Sequence, residues 1–167
     1  GRLLFVIFIL VFITAVLLLI NSLNNRQVRL ETQSVTVSGL DRGLEKFRIL
    51  HISDLCGKYF GDGQSAIAQA VKDQSYQVVC ITGDVCKDDG DYGAFLALID
   101  LFADHVPVFF VAGDQDPQPL TLNGRDGQVK ADWVLAAEAH GAVYLDSPQP
   151  VNINGATVWF SPESMYG

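Results

Sequence analysis

Aspartate residues stand in three short loops, each placed directly after an apolar run. The loops read S-D-L-C-G over 53–57, G-D-V-C-K over 83–87 and G-D-Q-D-P over 113–117. Their aspartates are Asp54, Asp84, Asp114 and Asp116. Four carboxylates gathered in one place repel one another, and a bound divalent cation is a common way to hold such a cluster ionised. The loops therefore predict a metal site, with the capping of a following helix by each aspartate as the alternative.

Strands and helices are predicted to alternate along the part of the chain that must position these loops. Short apolar runs predict strands at 47–52, 78–82, 108–112 and 143–145. Apolar residues at helical spacing predict helices at 65–76, 92–105 and 128–140. Continuous apolar strands that alternate with helices indicate an α/β fold with a parallel sheet, and ligands of such sheets bind beyond the carboxyl ends of the strands. We therefore expect the three loops to meet at one edge.

Local signals also predict a helix end, a hairpin and an opening strand. Gly141 follows the last helical pattern in a C-cap position, and Asn154-Gly155 between two apolar runs is typical of a tight hairpin. Polar and apolar residues alternate from Val28 to Gly39, which predicts a half-exposed strand. Residues 23–46 are therefore interpreted as a linker and an opening strand.

The loops and their surroundings resemble the calcineurin-like metallophosphoesterases, whose motifs D-x-H, G-D and G-N-H-D or G-N-H-E follow successive strands. The matching stretches are R-I-L-H-I-S-D-L over 48–55, I-T-G-D over 81–84 and P-V-F-F-V-A-G-D over 107–114. The resemblance implies a metallophosphoesterase-like α/β sandwich over 47–167. The family's later motifs, an isolated His and G-H-x-H, have no match after Asp116, so we expect this region to be the N-terminal half of that fold.

The same resemblance implies a centre of two divalent metal ions, such as manganese, iron or zinc, that hydrolyses phosphate esters. Asp84 would bridge the ions, Asp54 would bind one of them, and Asp114 would replace the family's asparagine ligand. Cys56 stands at the histidine of D-x-H, where its thiolate could bind zinc or remain a free loop thiol. Gln115 stands at the histidine that assists phosphoryl transfer and cannot act as a general acid. We therefore assign no catalytic residue and predict the metal ligands Asp54, Cys56, Asp84 and Asp114.

The cysteines are too few and too irregularly spaced to predict a disulfide framework. Cys80 lies in an apolar run and is interpreted as a core residue. Cys56 and Cys86 each follow a candidate metal-binding aspartate by two residues, and a disulfide between them is an alternative that requires an oxidising compartment.

An apolar run from Leu3 to Ile20 is interrupted only by Thr14 and is long enough to cross a bilayer. It predicts a single-pass transmembrane anchor over residues 1–22 that contacts lipid through residues 3–20. A cleaved signal peptide and a buried core helix are the alternatives. Basic residues flank the run on both sides, so the side of the membrane that carries the domain stays open, with the extracytoplasmic side slightly favoured.

A net charge of -8 disfavours nucleic acid as a partner, because the phosphate backbone would be repelled. Three functional readings remain. The first is a membrane-anchored, metal-dependent phosphate ester hydrolase that is impaired or inactive because of Cys56 and Gln115. The second is a non-catalytic relative that binds metal or another ligand. The third is a tethered α/β domain whose aspartates only cap helices. Oligomeric state is not indicated by the sequence.

Overall fold

A computed structural model describes residues 1–24, 28–123 and 127–162, with side chains 3, 20–24 and 123 outside the description. Within these ranges the chain forms four α-helices and eight strands. The helices are α1 (Arg2–Asn24), α2 (Ser65–Val71), α3 (Gly93–Asp100) and α4 (Asp132–Ala139). The strands are β1 (Ile49–Ile52), β2 (Val78–Thr82), β3 (Val108–Val111), β4 (Leu120–Asn123), β5 (Gly127–Lys130), β6 (Ala142–Tyr144), β7 (Gln149–Ile153) and β8 (Ala156–Phe160).

Four parallel strands form the central sheet in the order β1-β2-β3-β6. Ile52 pairs with Ile81, and Ile81 pairs with Phe110, so the strands are in register up to their carboxyl ends. The alternation of strands with helices confirms the predicted α/β fold. Because the three strands end side by side, the loops that follow β1, β2 and β3 are neighbours.

Helices α2, α3 and α4 pack on one face of the sheet and form the main core with it. Every second residue of β2 and β3 points into this layer, including Val79, Ile81 and Phe110. Trp133 of α4 is only 3% exposed and lies against Phe95 and Phe110, with ring centroids 6.2 Å and 5.9 Å away. Each large apolar side chain buried in this way contributes about 1.5–3 kcal/mol, so this face holds the sheet and the loop ends rigidly in place.

The hairpin formed by β7 and β8 packs on the opposite face. Phe160 stacks on Phe109 of β3 with ring centroids 4.9 Å apart. The predicted turn is confirmed, since Asn154 (φ 50°) and Gly155 (φ 87°) both have the positive φ that a tight hairpin of this kind requires. This face is covered less completely than the helical one, because Ile49 of β1 and Val143 of β6, which alternate with residues of the main core, remain 47% and 36% exposed.

The helix predicted at 128–140 begins only at Asp132. The preceding residues, Gly127–Lys130, form β5 and pair with β4 in an antiparallel hairpin that the sequence reasoning missed. Lys130 at the end of β5 forms an ion pair with Glu138 of α4 (2.6 Å) and another with Asp146 (3.4 Å). Pairing with β4 therefore makes this segment a strand, and the ion pairs of Lys130 attach its end to α4 and to Asp146.

The other predicted boundaries were too generous by a few residues. The helices predicted at 65–76 and 92–105 are the shorter α2 and α3, and the chain after each is held by turns. Gly141 is confirmed as a helix terminator, with φ 95° directly after the C-cap residue of α4.

The predicted opening strand over 28–39 is wrong. No strand is assigned between residues 28 and 48, and Val35 and Val37 are exposed. Alternation of polar and apolar residues describes only the side chains, whereas a strand also requires a hydrogen-bonded neighbour. None of the described strands pairs with this segment.

The predicted N-terminal helix is confirmed as α1, a continuous helix of 23 residues. Its large apolar side chains from Leu4 to Leu19 are between 37% and 72% exposed. Among the residues that the structure describes, no helix has both the length and the apolar character that crossing a membrane requires. The predicted span begins at Leu3 and ends at Ile20, and both of those side chains lie outside the description.

Candidate metal centre

The first two loops are joined by a short ladder of backbone hydrogen bonds. The amide of Asp54 donates to the carbonyl of Gly83 (3.2 Å), and the amide of Cys56 donates to that of Asp84 (2.7 Å). The amide of Gly57 continues the series to Val85 (3.0 Å). The parallel pairing of β1 and β2 thus continues beyond the strand ends and places the aspartates of both loops at the same edge.

The second and third loops touch at a pair of glycines. A Cβ atom on Gly113 would overlap with the carboxylate and the amide nitrogen of Asp84, and one on Gly83 would overlap with the backbone of Gly113. Only glycine fits at this contact. The close approach also lets the amide of Gln115 donate to Asp84 Oδ1 at 3.0 Å.

Three residues at this edge have a positive φ, a backbone conformation that residues other than glycine rarely adopt. The φ angles are 56° for Asp54, 49° for Cys56 and 52° for Asp84. Each such residue costs of order 1–3 kcal/mol and persists only where its surroundings enforce it, and residues of this kind cluster at functional sites. The strain therefore favours a site over three independent helix caps.

Helix capping by the aspartates is not observed here. Neither α2 nor α3 begins at Asp54 or Asp84, and the N-cap positions of both helices lack a side-chain hydrogen bond. Asp84 directs its Oδ1 to the third loop instead. The alternative of isolated capping residues does not describe this edge.

Asp116 is the best-buried carboxylate of the site. Its Oδ1 accepts hydrogen bonds from the amides of Val85 and Cys86, both at 2.8 Å, and its Oδ2 accepts one from the amide of Gly113 at 2.9 Å. The sequence analysis counted Asp116 in the acidic cluster but gave it no role. Its place as the last residue of G-D-Q-D was the signal for it.

Gln64 holds the first loop from the other side and was also missed. Its fully buried side chain accepts from the amide of Phe60 (2.8 Å) and donates to the carbonyls of Lys58 (3.0 Å) and Ala94 (2.9 Å). These bonds connect the chain after the first loop to the start of α3. A glutamine between two glycine-rich turns carries no pattern that predicts such a role.

The three cysteines are free thiols, so the alternative of a disulfide between Cys56 and Cys86 is wrong for this structure. Cys56 is exposed at the edge, whereas Cys86 is buried beneath it. Burial raises the pKa of the Cys86 thiol to about 12, with the negative charge of Asp116 adding to the effect. Burial also raises the pKa of Cys80 to about 11, which agrees with its interpretation as a core residue. Cys86 is therefore unsuited to be a thiolate ligand.

The predicted ligands reach the same edge but do not form a metal-binding group. Asp54, Cys56 and Asp114 are exposed, and one oxygen of Asp84 is already used by Gln115. Over residues 1–24, 28–123 and 127–162, no set of three or more histidine, cysteine, aspartate or glutamate side chains is arranged to hold a metal ion. A carboxylate oxygen carries two lone pairs, so the hydrogen bond from Gln115 leaves Asp84 able to bind an ion, and the predicted ligand set stays a prediction.

The chain's histidines offer no replacement ligand. His51 Nε2 lies 2.6 Å from Thr82 Oγ1 on the sheet, and His140 Nδ1 lies 2.6 Å from Asp100 at the ends of α3 and α4. His105 lies in the connection before β3, outside the three loops. The position of the family's catalytic histidine is filled by Gln115, which is exposed and contacts Asp84 through its backbone.

Comparison with known proteins gives one match. A family model described as calcineurin-like phosphoesterase matches residues 47–164, which include all three loops and the β7–β8 hairpin. No curated protein and no solved structure matches the chain.

Proposed function

The chain belongs to the calcineurin-like phosphoesterase family, and we propose that it is a member in which hydrolysis of phosphate esters is impaired or lost. Members of this family generally bind divalent metal ions. The proposal is carried by one observation: the frame of the site is kept, while both histidine positions at its edge hold other residues, Cys56 and Gln115.

The substitution at Gln115 removes the group that would transfer a proton. A glutamine amide can donate and accept hydrogen bonds but does not exchange a proton with a leaving group near neutral pH. General acid–base catalysis typically contributes about 10²–10⁴-fold to a rate, so its loss is enough to make turnover very slow. We propose a phosphate ester as the ligand class for this edge, and its binding would depend on a bound cation, because the carboxylates of Asp54, Asp84 and Asp114 alone would repel it.

The substitution at Cys56 changes which ions the edge would prefer. A thiolate is a soft ligand that suits zinc, whereas the carboxylates of Asp54 and Asp84 suit harder ions such as magnesium and manganese. A mixed and incomplete set of this kind favours neither class strongly. A chain that retained zinc without hydrolysing phosphate esters would be a non-catalytic, metal-binding relative of the family. The exposed Cys56 is the observation that favours this alternative.

The test is metal content and hydrolysis measured on the same preparation of the full chain. The protein is loaded with zinc or with manganese, freed of excess ion, and analysed for bound metal and for hydrolysis of bis(p-nitrophenyl) phosphate. We expect hydrolysis no faster than that of an Asp84→Asn control. Hydrolysis that exceeds the control and is lost with a chelator would overturn the proposal. Zinc retained without hydrolysis and lost in Cys56→Ser would support the metal-binding alternative.

We also propose that residues 3–20 anchor the chain in a lipid bilayer as a single pass. The backbone of α1 covers 23 residues and rises about 35 Å at about 1.5 Å per residue, which is comparable with the roughly 30 Å of a hydrocarbon core. The apolar side chains that the structure describes, from Leu4 to Leu19, cover only about 24 Å of this length, so the described residues alone fall short of a span. The hydroxyl of Thr14 donates to the carbonyl of Leu10 at 2.9 Å, so this polar group is satisfied within the helix. The many exposed apolar side chains of α1 support a lipid environment.

Extraction from membranes tests the anchor. The full chain, expressed in cells, should stay with the membrane pellet after washing with alkaline carbonate, and a variant with Leu10→Lys and Phe12→Lys should be released. Release of the unchanged chain by carbonate would contradict a spanning helix. Protease treatment of sealed vesicles would then report the side of the membrane that carries the domain.

A further inference from the structure

The carboxylate of Asp116 is placed to control the shape of two loops at once. Its Oδ1 bonds the amides of Val85 and Cys86 in the second loop, and its Oδ2 bonds the amide of Gly113 in the third. All three distances are 2.8–2.9 Å, which is typical of strong hydrogen bonds to a carboxylate. We propose that Asp116 is a positioning residue that holds the candidate metal-bridging Asp84 in place.

The three hydrogen bonds of the Asp116 carboxylate hold the chain that follows Asp84 and the glycine that packs against Asp84. Val85 directly follows Asp84 in the chain, and Gly113 is the glycine whose backbone packs against the Asp84 carboxylate. Asp84 itself has φ 52°, a conformation that needs support from its surroundings. Fixing the amide after Asp84 and the glycine opposite it restrains the backbone and the carboxylate of Asp84 together.

The environment of Asp116 suits this role better than a role in binding a ligand. Its side chain is buried, and among the described residues no ion pair involves it. Three backbone amides provide its hydrogen bonds in place of a cation, which is how a carboxylate can be kept out of water. By contrast, Asp114, two residues earlier in the same loop, is exposed, and none of the residues that the structure describes forms a hydrogen bond with its side chain.

The bond from the Gln115 amide to Asp84 Oδ1 reports directly on the position of Asp84. If Asp116 positions Asp84, then a change at Asp116 must weaken the protection of the Gln115 amide, although Asp116 does not bond that amide. A role limited to stabilising the fold would affect the amides of the sheet and of the loops alike. The role of Asp84 as a metal bridge rests on the proposed function. The positioning of Asp84 by Asp116 is tested without metal or substrate.

The experiment is amide hydrogen exchange followed by NMR on the full chain in detergent micelles. In Asp116→Asn we expect the amides of Val85, Cys86 and Gly113 to exchange at least roughly tenfold faster, because hydrogen bonds to a charged group are lost. The Gln115 amide should accelerate with them, while Val79 and Ile81 in β2 change much less. Asp114→Asn is the matched control and should leave all of these rates unchanged, and Asp84→Ala sets the rate of a Gln115 amide without its acceptor.

An unchanged Gln115 rate in Asp116→Asn would overturn the proposal, and so would an equal acceleration of loop and sheet amides. If Asp116→Asn does not fold, Asp116→Glu replaces it, since that variant keeps the carboxylate but displaces it by one methylene. Relative to the unchanged chain, the exchange of the Gln115 amide should then again accelerate more than that of the β2 amides, and equal acceleration would contradict positioning. Hydrolysis found in the metal experiment would overturn the proposed loss of activity and would leave this result intact.

Discussion

The underside of the three loops and their exposed rim differ in what they preserve. The underside consists of Gly83, Gly113 and Asp116, which meet through backbone contacts and buried hydrogen bonds. The rim carries Cys56 and Gln115, both exposed, at positions where the family has histidine. On the proposed function, the underside keeps the frame of a phosphoesterase site, whereas the rim lacks the histidines that would use it. Packing constrains the first set, and only chemistry constrains the second.

The largest effect is expected from Gly113→Ala. Its Cβ would overlap with the carboxylate and the amide of Asp84, and neither can move without breaking the contact between the loops. We expect a loss of about 3 kcal/mol or more in the free energy of unfolding, measured by urea denaturation. In the control Gly90→Ala the nearest atom to the new Cβ is 3.8 Å away, so only the cost of its φ of 84°, about 1 kcal/mol, remains. Equal losses in the two variants would show that the underside is not tightly packed.

A smaller effect is expected from alkaline pH, through the buried thiol of Cys86. Because its pKa is raised from 9.0 to about 12 in the fold, the contribution to stability is complete below pH 9 and is lost as pH rises toward 12. Between pH 9 and pH 11 we expect about 2 kcal/mol of this contribution to disappear. The free energy of unfolding measured over this range in Cys86→Ala should fall less steeply, although Cys80 and the partly buried Tyr76 and Tyr144 still add to the decline. Parallel pH profiles of the unchanged chain and of Cys86→Ala would show that burial of the Cys86 thiol does not contribute to stability.

The smallest effect is expected from Gln115→His. The side chain is exposed, and the backbone amide that bonds Asp84 is kept by any residue other than proline. The free energy of unfolding should change by no more than about 0.5 kcal/mol. Phosphodiester hydrolysis should also stay at the level of Asp84→Asn, because Cys56 is unchanged. A large loss of stability would show that the rim is constrained by packing after all.

Sequence reasoning located the sheet and the three loops because apolar runs ending in S-D or G-D are local patterns. It placed Asp54 and Asp84 at one edge because parallel strands end together. It missed β4 and β5, because residues 127–130 were included in the predicted helix at 128–140, whereas they pair with residues 120–123 in a local hairpin. It gave no role to Asp116, although the position of Asp116 in G-D-Q-D was a signal, and it missed Gln64, because a side chain that bonds backbone groups leaves no spacing pattern. The prediction of an opening strand was wrong for a related reason, because alternation of polar and apolar residues does not provide a second strand to pair with.

The two tryptophans make this molecule convenient for fluorescence spectroscopy. Trp133 is almost fully buried on the helical side, whereas Trp159 is largely exposed on the β7–β8 hairpin. Acrylamide should therefore quench the red-shifted emission of Trp159 first and leave the blue-shifted emission of Trp133. With Trp159→Phe the remaining signal would follow the helical layer alone, and with Trp133→Phe it would follow the hairpin. Loosening of either side of the sheet could then be timed separately without any added label.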